Sequence, residues 1–314
     1  GTRTATIDVD PGETITCTIT NNDIPPSLHL RKVVVNDNGG TATVADFTLY
    51  ANGTGSNDLS GTSPVDSGAH LDMDFALMCK SADSLQEPLA YLAAAGREGR
   101  SFEEALMPLG IEAERRMLAA TGGVNTHRGA IFSMGLIVAA IARATVLSAR
   151  IDPDSVRAAL KHEWGEALEG HAARGTAAAS HGALVRRQPG RDGARREAAL
   201  AFPSIFEAGI PALRQALKAG LDSNAASIQT LFTLMEAVDD TTVLYRGGLD
   251  AGAFVRRSAA TFLADGGCFQ PDWRERAERL HRSFIERNVS AGGCADLLAC
   301  TLLGHMIFGK PEKR

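Results

Sequence analysis

The stretch Thr121-Gly122-Gly123-Val124-Asn125-Thr126-His127-Arg128-Gly129 gathers glycines, an amide, a hydroxyl, an imidazole and a guanidinium into one short run. Glycine lets backbone N–H groups approach an anion closely. A helix starting just after the run would aim its positive end at the same point. Gly122, Gly123, Asn125, Thr126 and Arg128 are therefore candidate anion ligands, and His127 is a candidate donor and catalytic group. A plainer reading of the same residues is an interhelical turn, for which Gly122 alone would supply the C-cap.

Carboxylates recur in four other places. Asp66, His70, Asp72 and Asp74 cluster where a helix is expected to begin. His70 and Asp74, four apart, are expected on one helical face, able to hold Mg2+ or to orient a carboxylate. Acidic residues in a first turn are also ordinary partners of the helix dipole, and Asp72 is the one expected only to cap. Glu112 and Glu114 are two apart and cannot share a face. Glu114, whose face includes Met117 and Leu118, is expected to point inward as a catalytic carboxylate, while Glu112 forms a surface pair with Arg116. Asp239-Asp240 precede Arg246-Gly247-Gly248, offering ligands for a divalent cation beside a guanidinium. Asp296, after Gly292-Gly293, is either a further ligand or the first-turn acid of a last helix. Arg195-Arg196-Glu197 follow a Gly/Arg-rich loop over 186–191. Arginines can clamp phosphates, but Arg186, Arg187 and Arg191 read more simply as a solvated loop. His181 stands alone there.

The elements that must position these groups fall into two compositions. Up to about residue 62 the chain alternates with period two, as in Glu13-Thr14-Ile15-Thr16-Cys17-Thr18-Ile19-Thr20 and Thr43-Val44-Ala45-Asp46-Phe47-Thr48-Leu49-Tyr50, with turns at Asn36-Asp37-Asn38-Gly39-Gly40 and Asn52-Gly53. From Asp72 onward Ala, Leu, Arg and Glu dominate and apolar residues recur at three and four. One helix is expected over Asp72–Ala95, and another opens at the capping box Ser101-Phe102-Glu103-Glu104. Ala130–Ala149 reads as a buried central helix, and Asp152-Pro153 starts the next. Further helices are expected at 204–219, 224–238, 250–264, 272–288 and 293–308. The expected architecture is a mainly all-α domain over 63–314, preceded by a β-strand-rich segment over 1–62.

Charge is divided in the same way. Residues 1–68 carry three basic and eight acidic side chains, leaving 29 basic and 29 acidic for the rest. A neutral helical body gives no global electrostatic case for nucleic acid, so an anionic ligand must be held locally. No run is apolar enough to predict a membrane span. Gly1–Ala5 show no basic-then-apolar leader. The five cysteines contain no CxxC pair and are expected as reduced thiols in a cytoplasmic protein.

The helical part resembles the triphosphoribosyl-dephospho-CoA synthase family. The resemblance is carried by Glu112 to Gly129, Ser63 to Asp74, Arg195-Arg196-Glu197-Ala198 with Phe202-Pro203, Asp239 to Gly248 and Gly292 to Ala299. The N-terminal part resembles a fragment of the immunoglobulin-like or prealbumin-like repeats of bacterial surface adhesins, through Thr16 to Pro26, Val35 to Ala42 and Ala45 to Leu49. It stands where family members carry a helical segment, and Ser60–Val65 fits either parent, so the chain reads as a chimera.

The first resemblance implies a reaction between ATP and 3'-dephospho-CoA that releases adenine. It implies that the product is the precursor of an acyl carrier protein's prosthetic group in malonate decarboxylase or citrate lyase. Mg2+ is expected with ATP. Mapped onto the motifs, Glu114, Asp74 and His127 are the expected catalytic groups. Gly122, Gly123, Asn125, Thr126, Arg128, Arg196, Glu197 and Arg246 are the expected substrate ligands, and Asp66, His70, Asp74, Asp239, Asp240 and Asp296 the expected metal ligands. The competing expectations are a catalytically inert fusion and a surface-adhesion module.

Overall fold

The computed structural model describes residues 67–70, 72–173 and 193–308, all within the unit Gly53–Arg314. The strand-rich reading of 1–62, Asp66, His181 and the loop over 186–191 fall outside the described residues. Among the described residues all regular structure is helical and no strand occurs.

The order is α1 (Phe75–Ser84), α2 (Gln86–Arg97), α3 (Met107–Ala120), α4 (Arg128–Leu147), α5 (Pro153–Ala173), α6 (Gly193–Ala199), α7 (Ile210–Lys218), α8 (Ser223–Ala237), α9 (Thr241–Ala264), α10 (Trp273–Glu286) and α11 (Gly292–Phe308). Helix α4 lies at the centre, packed against α2, α5 and α11. By length and composition it could cross a membrane, yet its Ile131, Leu136, Ile137, Ala139, Ala140 and Ala144 are buried among its neighbours. Apolar burial of this kind stabilises by about 1.5–3 kcal/mol per large side chain. Trp164 on α5 is also buried, and its indole N–H donates to the Arg100 carbonyl at 2.8 Å, which satisfies its single polar atom.

The helix expected over Asp72–Ala95 is two helices broken at Leu85, and the first begins only at Phe75. Its N-cap is Asp74, extended at φ −125°, accepting from Leu77 N–H at 2.8 Å. Two expectations are thereby corrected. Asp74 caps instead of Asp72, and His70 precedes the helix, so it cannot share a helical face with Asp74. The chain reaches the first turn in extended form, and the carboxylate one residue before that turn meets the free amides.

Two prolines interrupt otherwise continuous helices, and both are met in the same way. Pro108 and Pro211 each follow a wide π turn, Phe102–Leu106 and Ser204–Gly209. Proline has no N–H and its ring crowds the carbonyl four residues back, so widening the preceding turn lets the helix run on. Ser101 caps the first of these as expected, its Oγ accepting from Glu104 N–H at 3.2 Å. Helix α9 starts nine residues before its expected position and passes Gly248 in a non-helical conformation, at φ 66° and ψ −158°. The sequence pattern detects only the half beyond this kink.

Candidate active site at the N-terminus of α4

Helix α3 ends where Thr121 Oγ donates back to the Met117 carbonyl at 2.9 Å. Gly123 N–H donates to the Leu118 carbonyl at 2.8 Å. Gly122 and Gly123 follow at φ 67° and 93°, a left-handed turn that favours glycine. Nothing lies within 4 Å of a β-carbon at either position, so the backbone turn calls for glycine and the space beside it is open. Asn125 Oδ1 accepts from Arg128 N–H at 3.3 Å, and Arg128 Nε donates to Glu114 Oε1 at 2.7 Å. Glu114 therefore turns toward the loop and an arginine, leaving Ala113 and Met117 as the buried face of α3. Glu112 stays at the surface with Arg115 and Arg116, which hold its carboxyl down at about 2.

Two carboxylates from other helices close the site. Asp296 on α11 reaches the start of α4, where the Ala130 amide favours its charged form. A β-carbon on Gly129 would lie 2.0 Å from Asp296 Oδ2, so only glycine admits the carboxylate there. Asp240 is buried and caps two helices at once. Its Oδ1 accepts from Thr242 and Val243 N–H at 2.8 and 3.3 Å at the start of α9, and its Oδ2 from Cys294 N–H at 2.8 Å at the start of α11. Burial pushes both carboxyls above their ordinary range. The Asp240 charge raises Asp296 further, while the backbone bonds partly restrain each shift. Gly193, the first residue of α6, lies against Thr241, so the helix carrying Arg196 and Glu197 begins beside the Asp240 cap.

His127 occupies the N-cap position of α4. Its Nδ1 lies 2.7 Å from Ser81 Oγ, Ser81 Oγ lies 2.6 Å from Thr126 Oγ, and Thr126 Oγ donates to Met117 Sδ at 3.0 Å. Ser81 is fully buried and is the only buried residue of α1. Burial lowers the His127 pKa, keeping the ring neutral near pH 7. Ser81 and Met117 have no sequence signal as site residues: one is a serine on a short helix, the other an ordinary core methionine.

The remaining candidates are placed as follows. His70 Nδ1 accepts from Arg246 at 3.0 Å, and its Nε2 bonds Ser290 Oγ at 2.9 Å. Arg246 also donates to the Ala69 carbonyl at 2.7 Å and to Asn288 Oδ1 at 3.2 Å. Burial and the Arg246 charge lower the His70 pKa. Both ring nitrogens are thus engaged within the protein. Asp239 is exposed and paired with Arg256. Glu197 accepts from Ser204 N–H at 3.2 Å and Oγ at 2.7 Å, and burial raises its pKa. Arg196 is exposed. Among the described residues no three His, Cys, Asp or Glu side chains gather to hold a metal by themselves. The fold thus brings together His127, Thr126, Arg128, Glu114, Asp240 and Asp296, and leaves Asp74 and Asp239 in capping and pairing roles.

The profile of the ATP:dephospho-CoA triphosphoribosyl transferase family matches residues 62–313, and that of a prealbumin-like fold domain matches residues 23–75. A protein of Acinetobacter calcoaceticus named "Probable 2-(5''-triphosphoribosyl)-3'-dephosphocoenzyme-A synthase" is 36% identical over 239 residues, covering 76% of this chain and 81% of its own. One of Azotobacter vinelandii with the same name is 40% identical over 240 residues, covering 75% and 80%. The 2-(5''-triphosphoribosyl)-3'-dephosphocoenzyme-A synthase of Pectobacterium atrosepticum is 36% identical over 244 residues, covering 76% and 79%. No solved structure matches the chain. The five motifs lie within the matched span, and on that match the chain belongs to the ATP:dephospho-CoA triphosphoribosyl transferase family.

Proposed function

We propose that this chain joins the 5-triphosphoribosyl group of ATP to the 2'-hydroxyl of 3'-dephospho-CoA and releases adenine. The observation that carries the reading is the Asp296 carboxylate at the start of α4, where His127 is the N-cap, its pKa raised by the charge of the buried Asp240. The bond from the anomeric carbon to adenine N9 breaks as the bond to the 2'-oxygen forms. The 2'-hydroxyl proton passes to His127, and adenine leaves with a proton from solvent or a nearby donor.

Asp240 and Asp296 suit Mg2+, being hard oxygen donors whose repulsion a cation would relieve. They would hold it together with phosphate oxygens, and it would supply charge neutralisation of the triphosphate. Arg128 and the open Gly122-Gly123 turn face the same anion. Positive charge developing on the ribose is stabilised by the nearby carboxylates. The product would be the precursor of the prosthetic group of an acyl carrier protein, of the malonate decarboxylase or citrate lyase type. Free Cys79, Cys268, Cys294 and Cys300 support a reducing, cytoplasmic setting.

The test is incubation of the full chain with ATP, Mg2+ and 3'-dephospho-CoA, following free adenine and product mass. Adenine equal in amount to triphosphoribosyl-dephospho-CoA is expected. A folded, helical chain that releases none would instead be the inert fusion.

A further inference from the structure

We propose that Met117 is a positioning residue whose sulfur ends a one-way hydrogen-bond chain through Thr126 and Ser81, fixing His127 with Nδ1 protonated and Nε2 bare. The inference rests on the reading of His127 as the base.

The direction follows from counting protons. A thioether carries none and only accepts. Thr126 Oγ lies 3.0 Å from Met117 Sδ, with Thr126 as donor, and Thr126 N–H approaches the same sulfur at 3.4 Å. The single Thr126 hydroxyl proton is thereby committed. The 2.6 Å contact between Ser81 and Thr126 must then use the Ser81 proton. With that proton spent, the 2.7 Å contact from Ser81 to His127 must use a proton on Nδ1. In a neutral ring Nε2 is left with its lone pair, the form that accepts a proton from an alcohol.

Run in the opposite sense, Thr126 would donate to Ser81 and Ser81 to Nδ1. His127 would then carry its proton on Nε2 and could not act as a base. The two tautomers differ only in the direction of the whole chain, and the buried sulfur, an acceptor at one end, sets it. A carboxylate in its place would also fix the tautomer but would raise the imidazole pKa. A neutral, weak acceptor orients the ring without that charge.

The test is 15N NMR of the full chain with labelled histidine, at a pH where His127 is neutral and with His127→Gln used for assignment. A pyrrole-type Nδ1 and a pyridine-type Nε2 are expected. Met117→Leu keeps the volume and removes the acceptor, a swap that a packed core tolerates. Its His127 signals should move toward the average of two tautomers. Thr126→Val, which breaks the chain at a half-buried site, should do the same. With an even tautomer mixture the competent population halves, so kcat should fall about twofold while KM for ATP holds. A pyrrole-type Nε2 in the unaltered chain, or unmoved signals in both variants, overturns the proposal. Because the spectrum needs no turnover, the expected tautomer in a chain that releases no adenine would keep the positioning role and remove only the proposed reaction.

Discussion

Asp296 and Gly129 sit in contact across two helices, the carboxylate of one occupying the volume that a side chain on the other would need. Only glycine at 129 lets Asp296 reach the start of α4, because Oδ2 would otherwise lie 2.0 Å from a β-carbon. Gly129→Ala should therefore expel the carboxylate while leaving α4 intact. Turnover should fall at least about a hundredfold, in the range of a lost electrostatic contact to a transition state. Helical circular dichroism should be preserved. Unchanged turnover in this variant would remove Asp296 from the site.

Asp296 also makes stability depend on pH. Burial and the Asp240 charge raise its folded pKa well above the ordinary 3.8, so the folded state binds its proton more tightly than the unfolded state. That stabilisation is complete below the unfolded value and is lost as pH rises through the folded one. The ligand-free chain should lose Tm with rising pH above about 4, and Asp296→Asn should remove that part of the loss. His70 and His127, with lowered pKa values, act in the opposite sense. They cost stability as pH falls below 6.5, so the comparison is read from the difference between the two chains.

Asp240 should be worth more to folding than any other polar residue described. Asp240→Ala strands three backbone N–H groups, of Thr242, Val243 and Cys294, at the starts of two helices. At about 1–3 kcal/mol for each buried group left without a partner, the loss should exceed about 3 kcal/mol in a urea titration. A loss under 1 kcal/mol would mean that water replaces the carboxylate.

His127 sets the acid limb of the rate. Its neutral form is the active one, and burial lowers its pKa. The kcat of the proposed reaction should therefore hold at pH 7 and fall only below 6.5. His127→Gln should cost about 10²–10⁴ in kcat. A pH–rate profile with its limb above pH 7 would contradict this assignment.

Glu114 and Arg128 can be told apart by their kinetics. Both are partly exposed, at 30% and 42% of their side chains, so Glu114→Gln should cost only about 0–1 kcal/mol of stability. Arg128→Ala should raise KM for ATP about tenfold, the equivalent of one charge-assisted hydrogen bond. Equal effects of the two on KM would show that the pair, and not the guanidinium alone, meets the triphosphate.

Much of the frame is legible because helix signals are local. Ser101 caps as its spacing predicts, Asp152 accepts from Ser155 N–H at 2.9 Å, and the apolar run from Ala130 marks the central helix. Other features fail for physical reasons. Asp72 and Asp74 are the same residue type two apart, and which one caps depends on where the extended chain turns. The helix from Thr241 escapes notice because Gly247-Gly248 interrupt its pattern. Glu114 carries the spacing of an inward residue, but Arg128 draws it toward the loop.

Residue order alone determines that this chain is helical beyond the seventies, which motifs it carries, and that they match a transferase family, since these depend on neighbours a turn apart. Only the tertiary structure decides that Asp240 caps two helices, that Asp296 enters beside Gly129, and that Ser81 and Met117 reach His127. Apart from the Met117–Thr126 contact and the cap of Asp240 on its own helix, those contacts join residues tens to hundreds of positions apart. Their energy comes from burial and from hydrogen bonds that exist only once the helices have packed.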